Sequence, residues 1–336
     1  MRSWAVPAAI IVAVEYVFAL VIGARVGFHY RIPFETYVIL GLAVAGIGLS
    51  LIICAKLVIY TLEREDAPTR RLLSETPYMA GFVAGVTLSA LQIAVLTWTK
   101  VMLPIASPFW ADPLLARADQ LLFRVDPWIV ARGLFGWAAS LIDRAYVTWA
   151  PVKFATFLFL VCTPQTLTKS RCLIAYFLMM ATVAMGQFLF SSGGPIFYER
   201  LGYGLHFASL PVEPWVRTTS AYLWRDHLAV GGEIGGGISA MPSLHVAAAL
   251  WIALVWRSYS RLAGALAFAY FSLIAIGSVL LGWHYAVDGI AAALITAASW
   301  KAAKWLLRPG AFRFTLNLSP PVAGLGFDRQ KSRRSA

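Results

Sequence analysis

Hydrophobic residues dominate this chain in long runs, and polar residues are confined to the segments between them. A helix needs about 20 apolar residues to cross the hydrocarbon core of a bilayer. Eight runs approach that length, and they cover residues 4–23, 36–61, 78–101, 146–163, 172–190, 242–257, 262–281 and 284–306. The pattern predicts an all-α fold, a polytopic membrane helical bundle of about eight transmembrane helices, with Lys153 close enough to a helix end to snorkel.

Two longer segments interrupt the runs. Residues 102–145 carry Asp112, Asp119 and Asp126 at intervals of seven, a step that returns to nearly the same helix face. We expect interfacial or re-entrant helices there, serving either as a scaffold for loop packing or as a lipid-entry surface. Residues 191–241 are rich in Gly, Pro, Tyr and Trp, which predicts an irregular cap over a site, with the glycines at 231–237 as a flexible hinge.

Composition agrees with a membrane protein. Hydrophobic residues make up 60% of the chain and charged residues 13%, about half the charged share of a soluble domain. The net charge of +12 is not concentrated in blocks within the first 300 residues, so nucleic-acid binding is excluded. The three cysteines fall in or beside apolar runs without metal-ligand spacing, and we interpret them as small apolar residues rather than a disulfide framework.

The basic residues also predict orientation, because cytoplasmic loops carry the excess of Lys and Arg. With Arg2 inside, the short loops rich in Lys and Arg and the basic end of the chain all fall on the inner side. Both termini are then cytoplasmic and residues 239–245 and 282–288 face outward. The compact loops favour a bacterial inner membrane, which makes the outer face periplasmic.

Residues 239–245 read Ser-Ala-Met-Pro-Ser-Leu-His. Pro242 suits the first turn of a helix and Ser239 can cap it. Free backbone N–H groups at such a helix start favour an anion, with Ser243 and His245 in the first turn. His245 could then donate a proton to a leaving group on a bound phosphate.

Residues 282–288 read Gly-Trp-His-Tyr-Ala-Val-Asp, so His284 and Asp288 are four apart at the start of the last run. On a helix this spacing puts both side chains on one face. A carboxylate beside an imidazole fixes its tautomer and leaves the other ring nitrogen free as a nucleophile. The remaining histidines, His29, His206 and His227, lack such context and are interpreted as structural.

These two motifs resemble the second and third signatures of the type 2 phosphatidic acid phosphatase superfamily. Pro-Ser-Leu-His and His-Tyr-x-x-Asp are most similar to its inositol phosphorylceramide synthase branch, as is the segment 194–200, less specifically. The resemblance covers about residues 105–300. From the resemblance, the apolar runs and the basic end of the chain, we expect four parts. These are N-terminal transmembrane helices (1–101), an outer interfacial or re-entrant segment (102–145), a phosphatase-like transmembrane core (146–308) with the cap 191–241, and a disordered basic cytoplasmic tail (309–336).

The resemblance implies a role for each motif residue. His284 would be the nucleophile that forms a phosphohistidine, and Asp288 would orient it. His245 would protonate the leaving alcohol and then deprotonate the incoming one. Ser243 and nearby backbone amides would hold the phosphate, and neither a metal nor another cofactor is required.

The chain departs from the family pattern at the phosphate-binding arginine. The third signature has an arginine where this chain has Ser278. A literal match to the first signature, residues 301–309, begins 17 residues past His284, about 26 Å along a helix and at the opposite membrane face. We reject that match. Arg200 is the first candidate for a phosphate-binding arginine, with Tyr198 beside it, followed by two other arginines of the outer loop, Arg217 and Arg225.

Three functions remain open from the sequence. The branch resemblance favours a phosphotransferase that moves a phospho-headgroup, such as phosphoinositol, from a phospholipid donor to a lipid alcohol acceptor. A lipid phosphate phosphatase would use the same residues with water as the acceptor. A transporter or lipid-binding protein would need ionisable residues along a path through the bilayer. The need for a partner subunit is left open.

Overall fold

The computed structural model describes residues 4–27, 34–229 and 235–308. Within these ranges the chain folds into α-helices, two short 3₁₀ turns and connections, with no strand. The helices are α1 (Ala5–Arg25), α2 (Phe34–Leu62), α3 (Pro68–Ser74), α4 (Thr76–Ala106), α5 (Asp112–Phe123), α6 (Pro127–Phe135), α7 (Ala139–Tyr146), α8 (Trp149–Cys162), α9 (Leu167–Gly186), α10 (Pro214–Leu228), α11 (Leu244–Tyr259), α12 (Arg261–Leu280) and α13 (Ala286–Leu306).

Each of the eight predicted hydrophobic runs overlaps one of these helices. By length and composition, five described helices are able to cross a membrane: α1, α2, α4, α9 and α12. A sixth span results if 127–146 and 149–162, which are bent by 46° at the break, are counted as one. The predicted helical membrane bundle is confirmed, with five or six spans by these criteria instead of eight.

Helix α9 is the centre of the bundle. It is apolar on nearly all sides, as expected for a helix surrounded by others. Tyr176 and Phe177 are fully buried in it, and α1, α4, α8, α11 and α13 pack around it. On α11, the Trp251 indole N–H donates to the Cys172 carbonyl of α9 at 3.0 Å, which satisfies a buried donor and fixes the contact between the two helices.

A buried polar contact joins the N-terminal helices to this centre. Glu15 on α1 is fully buried and accepts a hydrogen bond from the Gln92 side chain of α4 at 2.9 Å. The same amide nitrogen donates to the Phe177 carbonyl of α9 at 3.0 Å. Interhelical hydrogen bonds of this kind hold membrane helices together, which explains why a carboxylate is tolerated inside the first apolar run.

The two longer segments are more helical than the sequence indicates. Residues 102–145 contain α5, α6 and α7, in agreement with the predicted helices. The cap predicted to be irregular includes the 15-residue helix α10, which begins with proline at its first turn. The predicted hinge falls partly on residues 230–234, and the predicted disordered tail on 309–336; both lie outside the described residues.

Candidate active site

The two histidines predicted as catalytic meet at one end of the bundle. Helices α11 and α13 begin at this end and α4 and α9 finish there, which brings the loops between them together. His245 Nδ1 lies 3.1 Å from His284 Nε2, and the two ring centroids are 5.2 Å apart. Both rings line a cavity of about 300 Å³. His284 is 3% exposed, so its reactivity depends on this cavity.

Asp288 stands on the other side of His284. Its Oδ2 lies 3.4 Å from His284 Nδ1, and it also accepts the Tyr285 backbone N–H at 3.0 Å. One set of tautomers is consistent with both contacts: Nδ1–H of His284 faces Asp288, and Nε2 of His284 accepts from Nδ1–H of His245. The free electron pair of His284 therefore points towards His245 and the cavity.

Both helices start two residues later than the predicted runs at 242 and 284. Helix α11 begins at Leu244, and its cap is Ser243, whose hydroxyl accepts the Val246 N–H at 3.3 Å; the predicted cap, Ser239, does not serve. Helix α13 begins at Ala286, after His284. His284 and Asp288 are therefore in contact, but the predicted geometry of two residues one turn apart on a helix is wrong. His284 lies before the helix, and Asp288 reaches back to it from the first turn.

None of the three residues predicted to bind phosphate lines the histidine cavity. The Ser243 hydroxyl is fully buried in its capping role. Tyr198 packs in an aromatic group with Tyr203 and Phe207. Arg200 is exposed, lies 5.7 Å over the Trp224 ring and lines a separate cavity. The structure brings the histidines and Asp288 together, but not this second set.

Two lysines that the sequence analysis did not place in the site lie beside the histidines. Lys100 of α4 lines the cavity. Lys153 of α8 is 3% exposed, so the predicted snorkelling is wrong. Its Nζ lies 4.9 Å from the Trp149 ring centroid, and the Trp149 ring lies 4.5 Å from the ring of His245. A lysine inside an apolar run was the available signal, because ionisable groups at membrane depth are costly and usually functional.

Asp112 of α5 holds the cap against the His284 segment. Its two carboxylate oxygens accept the N–H groups of Gly193 and Gly194, both at 2.8 Å. The Tyr285 hydroxyl donates to the same carboxylate at 2.8 Å. Asp112 is fully buried, and these donors replace its hydration. The residue after the nucleophile candidate is thus tied directly to α5.

Asp119, one heptad later on α5, holds the first turn of α13. Its oxygens accept the free N–H groups of Ala286 at 2.7 Å and Val287 at 2.9 Å. A carboxylate is favourable at a helix N-terminus, where backbone donors lack partners. Burial raises the pKa of the Asp119 carboxyl to about 6, with the two amide donors opposing that shift. Both aspartates therefore act as supports, which favours the scaffold interpretation of this segment over a lipid-entry surface.

Aromatic side chains form the wall around His245. The Tyr146 ring stacks on the imidazole at 5.0 Å with 24° between the planes, and Trp149 packs against it at 4.5 Å. From the cap, α10 contributes Tyr222 and Leu223 to the same cavity. The walls restrict water around the reacting groups, which strengthens electrostatic interactions in the cavity.

A comparison with protein families matches this region. The sequence model of the PAP2 superfamily matches residues 113–302, which is more than half of the chain. The matched range includes α5, the cap and both histidine motifs, but not Lys100. Searches of curated proteins and of solved structures find no match.

Proposed function

Because the chain belongs to the PAP2 superfamily, we propose that it is a membrane phosphotransferase that moves a phospho-headgroup, such as phosphoinositol, from a phospholipid to a lipid alcohol. The observation that carries the proposal is the line of Asp288, His284 and His245 at 3.4 Å and 3.1 Å beside a single cavity. Nucleophile, orienting acid and general acid are the parts that such a transfer needs.

The first half of the reaction forms a phosphohistidine. The electron pair of His284 Nε2 attacks phosphorus while the bond from phosphorus to the leaving lipid oxygen breaks. His245 enters this step as the imidazolium and gives its Nδ1 proton to that oxygen, so the leaving lipid departs as an alcohol and His245 becomes a neutral base. Asp288 stabilises the positive charge that develops on the His284 ring. The ester oxygen must replace the direct 3.1 Å contact between the rings.

The second half returns the enzyme to its starting state. His245 removes a proton from the hydroxyl of the acceptor, and the acceptor oxygen attacks phosphorus. The bond from phosphorus to His284 Nε2 breaks, and the electron pair returns to the nitrogen. A lipid alcohol as acceptor gives a new phospholipid, whereas water gives hydrolysis.

A lipid phosphate phosphatase of the same superfamily is the second candidate. The family match supports it equally, because it does not separate the branches, and the residues of the site could activate water in the same way. A non-catalytic transporter is the third and weakest candidate, because few ionisable groups lie at mid-span depth and those around the histidines cluster at one end of the bundle. We further propose that the site faces the periplasm of a bacterial inner membrane, with both termini cytoplasmic.

Labelled phospholipids distinguish the three candidates. The purified protein in lipid vesicles is incubated with radiolabelled donor phospholipids, with and without a lipid alcohol. We expect a new labelled phospholipid that depends on the alcohol. Release of water-soluble phosphate without alcohol dependence would indicate the phosphatase, and the absence of any product would contradict an enzyme.

A further inference from the structure

We propose that Lys100 and Lys153 supply the positive charge that holds the phosphate group of the substrate beside the two histidines. This inference rests on the proposed function and assigns its missing part. The arginine of the family signature is replaced here by Ser278, whose hydroxyl bonds to the Ala275 carbonyl within its own helix. A phosphoryl transfer nevertheless needs a cation or other donors for the phosphate oxygens.

The positions of the two lysines support this role. Lys100 and both histidines line the same cavity of about 300 Å³. The last described residues of the cap hold the lysine in place: a Cβ added to Gly237 would lie 2.6 Å from Lys100 Cβ. The absence of a side chain at Gly237 therefore allows the cap to close on the lysine stem. Lys153 approaches from α8, behind the Trp149 ring that packs on His245.

The two lysines also differ from other lysines of the chain in their partners. Among the described residues, no carboxylate forms an ion pair with Lys100 or Lys153. Two carboxylates do lie near Lys100, Asp143 in the same cavity and Asp226 in a neighbouring one. Each accepts a backbone N–H instead, from Trp215 at 2.9 Å and from Gly237 at 3.1 Å. The aromatic faces of Trp149 and Phe154 offer Lys153 only weak compensation.

The other lysines with resolved contacts show the difference. Lys56 forms an ion pair with Glu75. Lys169 donates to two carbonyl oxygens near the end of α8, at 2.9 Å and 2.8 Å. Two ammonium groups near one cavity, without such partners, make an anion the favourable occupant. Lysine acts on phosphate as a point charge, so Lys100 can contact the phosphate in the cavity while Lys153 adds its charge from behind Trp149.

The arginines of the outer loop do not offer this arrangement. Arg200 and Arg217 line a different cavity and are exposed. Arg200→Met is therefore a matched control, because it removes a cation of the outer loop without changing the histidine cavity. Lys100→Met and Lys153→Met remove the ammonium groups and keep most of the side-chain length. Lys153→Arg keeps the charge if the buried methionine variant does not fold.

The test measures kcat/KM for phospholipid turnover and the inhibition constant of inorganic phosphate in the reconstituted full-length protein. Loss of one transition-state donor costs about 100-fold in rate, so we expect about that fall in kcat/KM for Lys100→Met and a smaller fall for Lys153→Met, with weaker inhibition by phosphate in both. Arg200→Met should stay within about threefold of the wild type, as a surface change does. Lysine variants that keep both constants within the same margin would overturn the inference.

A binding measurement separates this inference from the proposed function. Inorganic phosphate should raise the thermal unfolding temperature of the wild type, because a ligand that binds the folded state stabilises it. Lys100→Met should lose this shift while its unfolding temperature without phosphate stays unchanged. If the wild type is stabilised by phosphate but does not turn over lipids, the lysine site stands and the proposed function fails. If phosphate stabilises the wild type and the lysine variants equally, or neither, the lysine site is refuted.

Discussion

The His284 tautomer depends on the residue at position 288. An ionised Asp288 at 3.4 Å favours a proton on Nδ1 and leaves the electron pair on Nε2, towards His245. Asp288→Asn would remove the negative charge that favours this tautomer and stabilises the cationic ring formed in the transition state. We expect kcat to fall by about 10⁴-fold, the size of the effect when an orienting aspartate becomes asparagine in a catalytic triad.

The capping role of Asp288 requires a control for folding. The asparagine oxygen can still accept the Tyr285 N–H, so the thermal unfolding temperature should change little. Steady-state assays and thermal unfolding in the same detergent compare the two effects. Activity retained to within about tenfold would argue against a role in setting the tautomer.

A second carboxylate gives a prediction on pH. Burial raises the pKa of Asp119 to about 6 in the folded chain, against an ordinary value of 3.8. Between these values the folded state holds a proton that the unfolded state has lost. The stabilisation of the folded state by this bound proton is fully present below pH 3.8 and is lost as pH rises through about 6.

Asp119→Asn removes this titration. The free energy of unfolding of the wild type minus that of the variant should therefore decrease as pH rises from about 4 to about 6. Chemical unfolding at several pH values measures this difference. Asp126→Asn is the matched control, because Asp126 lies one heptad after Asp119 and its contact with His206 is more exposed. A difference that is constant over this range would contradict the raised pKa.

Among the elements, α5 has a role that its sequence only partly reveals. The heptad spacing of Asp112 and Asp119 correctly predicts a shared helix face. Their partners, however, are mostly backbone N–H groups of the cap and of α13, and every residue except proline carries such a donor. No side-chain pattern marks these partners, so the support of the active-site segment by α5 was visible only in three dimensions.

The contact between the cap and the α12–α13 connection requires a glycine at position 194. Gly194 has φ +96°, and a Cβ there would lie 2.4 Å from the Trp283 carbonyl oxygen. The two segments are also joined by a backbone hydrogen bond, in which the Ile196 N–H donates to the Gly282 carbonyl at 2.9 Å. Gly194→Ala should therefore displace the residue before His284 and lower kcat by about 100-fold or more.

Gly202→Ala is a matched control for that variant. Gly202 has φ +85°, but a Cβ there meets nothing within 4 Å. Both substitutions carry the backbone cost of a positive φ, and only Gly194→Ala adds the collision. Parallel assays of activity and thermal unfolding compare the two variants. Equal losses in both would show that backbone strain, not the contact with Trp283, determines the effect.

At the scale of the whole molecule, the sequence predicted the helical bundle, and the structure brings the three motif residues together. The surroundings of these residues were not predicted. Apolar runs determine where helices form in a membrane, whereas helix starts depend on caps such as Ser243 that compete with nearby alternatives. The place of Lys153 near the site could not be predicted, because its burial depends on which helices surround α8. From the sequence alone, a lysine near a helix end can either extend to the membrane surface or be buried beside a cavity.

The proposed orientation can be tested with single cysteines. After replacement of Cys54, Cys162 and Cys172 by alanine, a membrane-impermeant maleimide probes Ser209→Cys and Ser74→Cys in intact cells. Both serines are exposed, Ser209 in the cap and Ser74 at the end of α3. The Lys/Arg distribution predicts labelling at position 209, and at position 74 only after the membrane is permeabilised. The reverse pattern would contradict the periplasmic site.

The most direct test of the central claim is to trap phosphorus on His284. Wild type, His284→Ala and the control His227→Ala are mixed with ³²P-labelled phospholipids, denatured rapidly in alkali and digested. We predict an alkali-stable, acid-labile label on the peptide that contains His284, present in the wild type and the control and absent from His284→Ala. Turnover without this label, or normal turnover by a folded His284→Ala variant, would contradict the phosphohistidine mechanism.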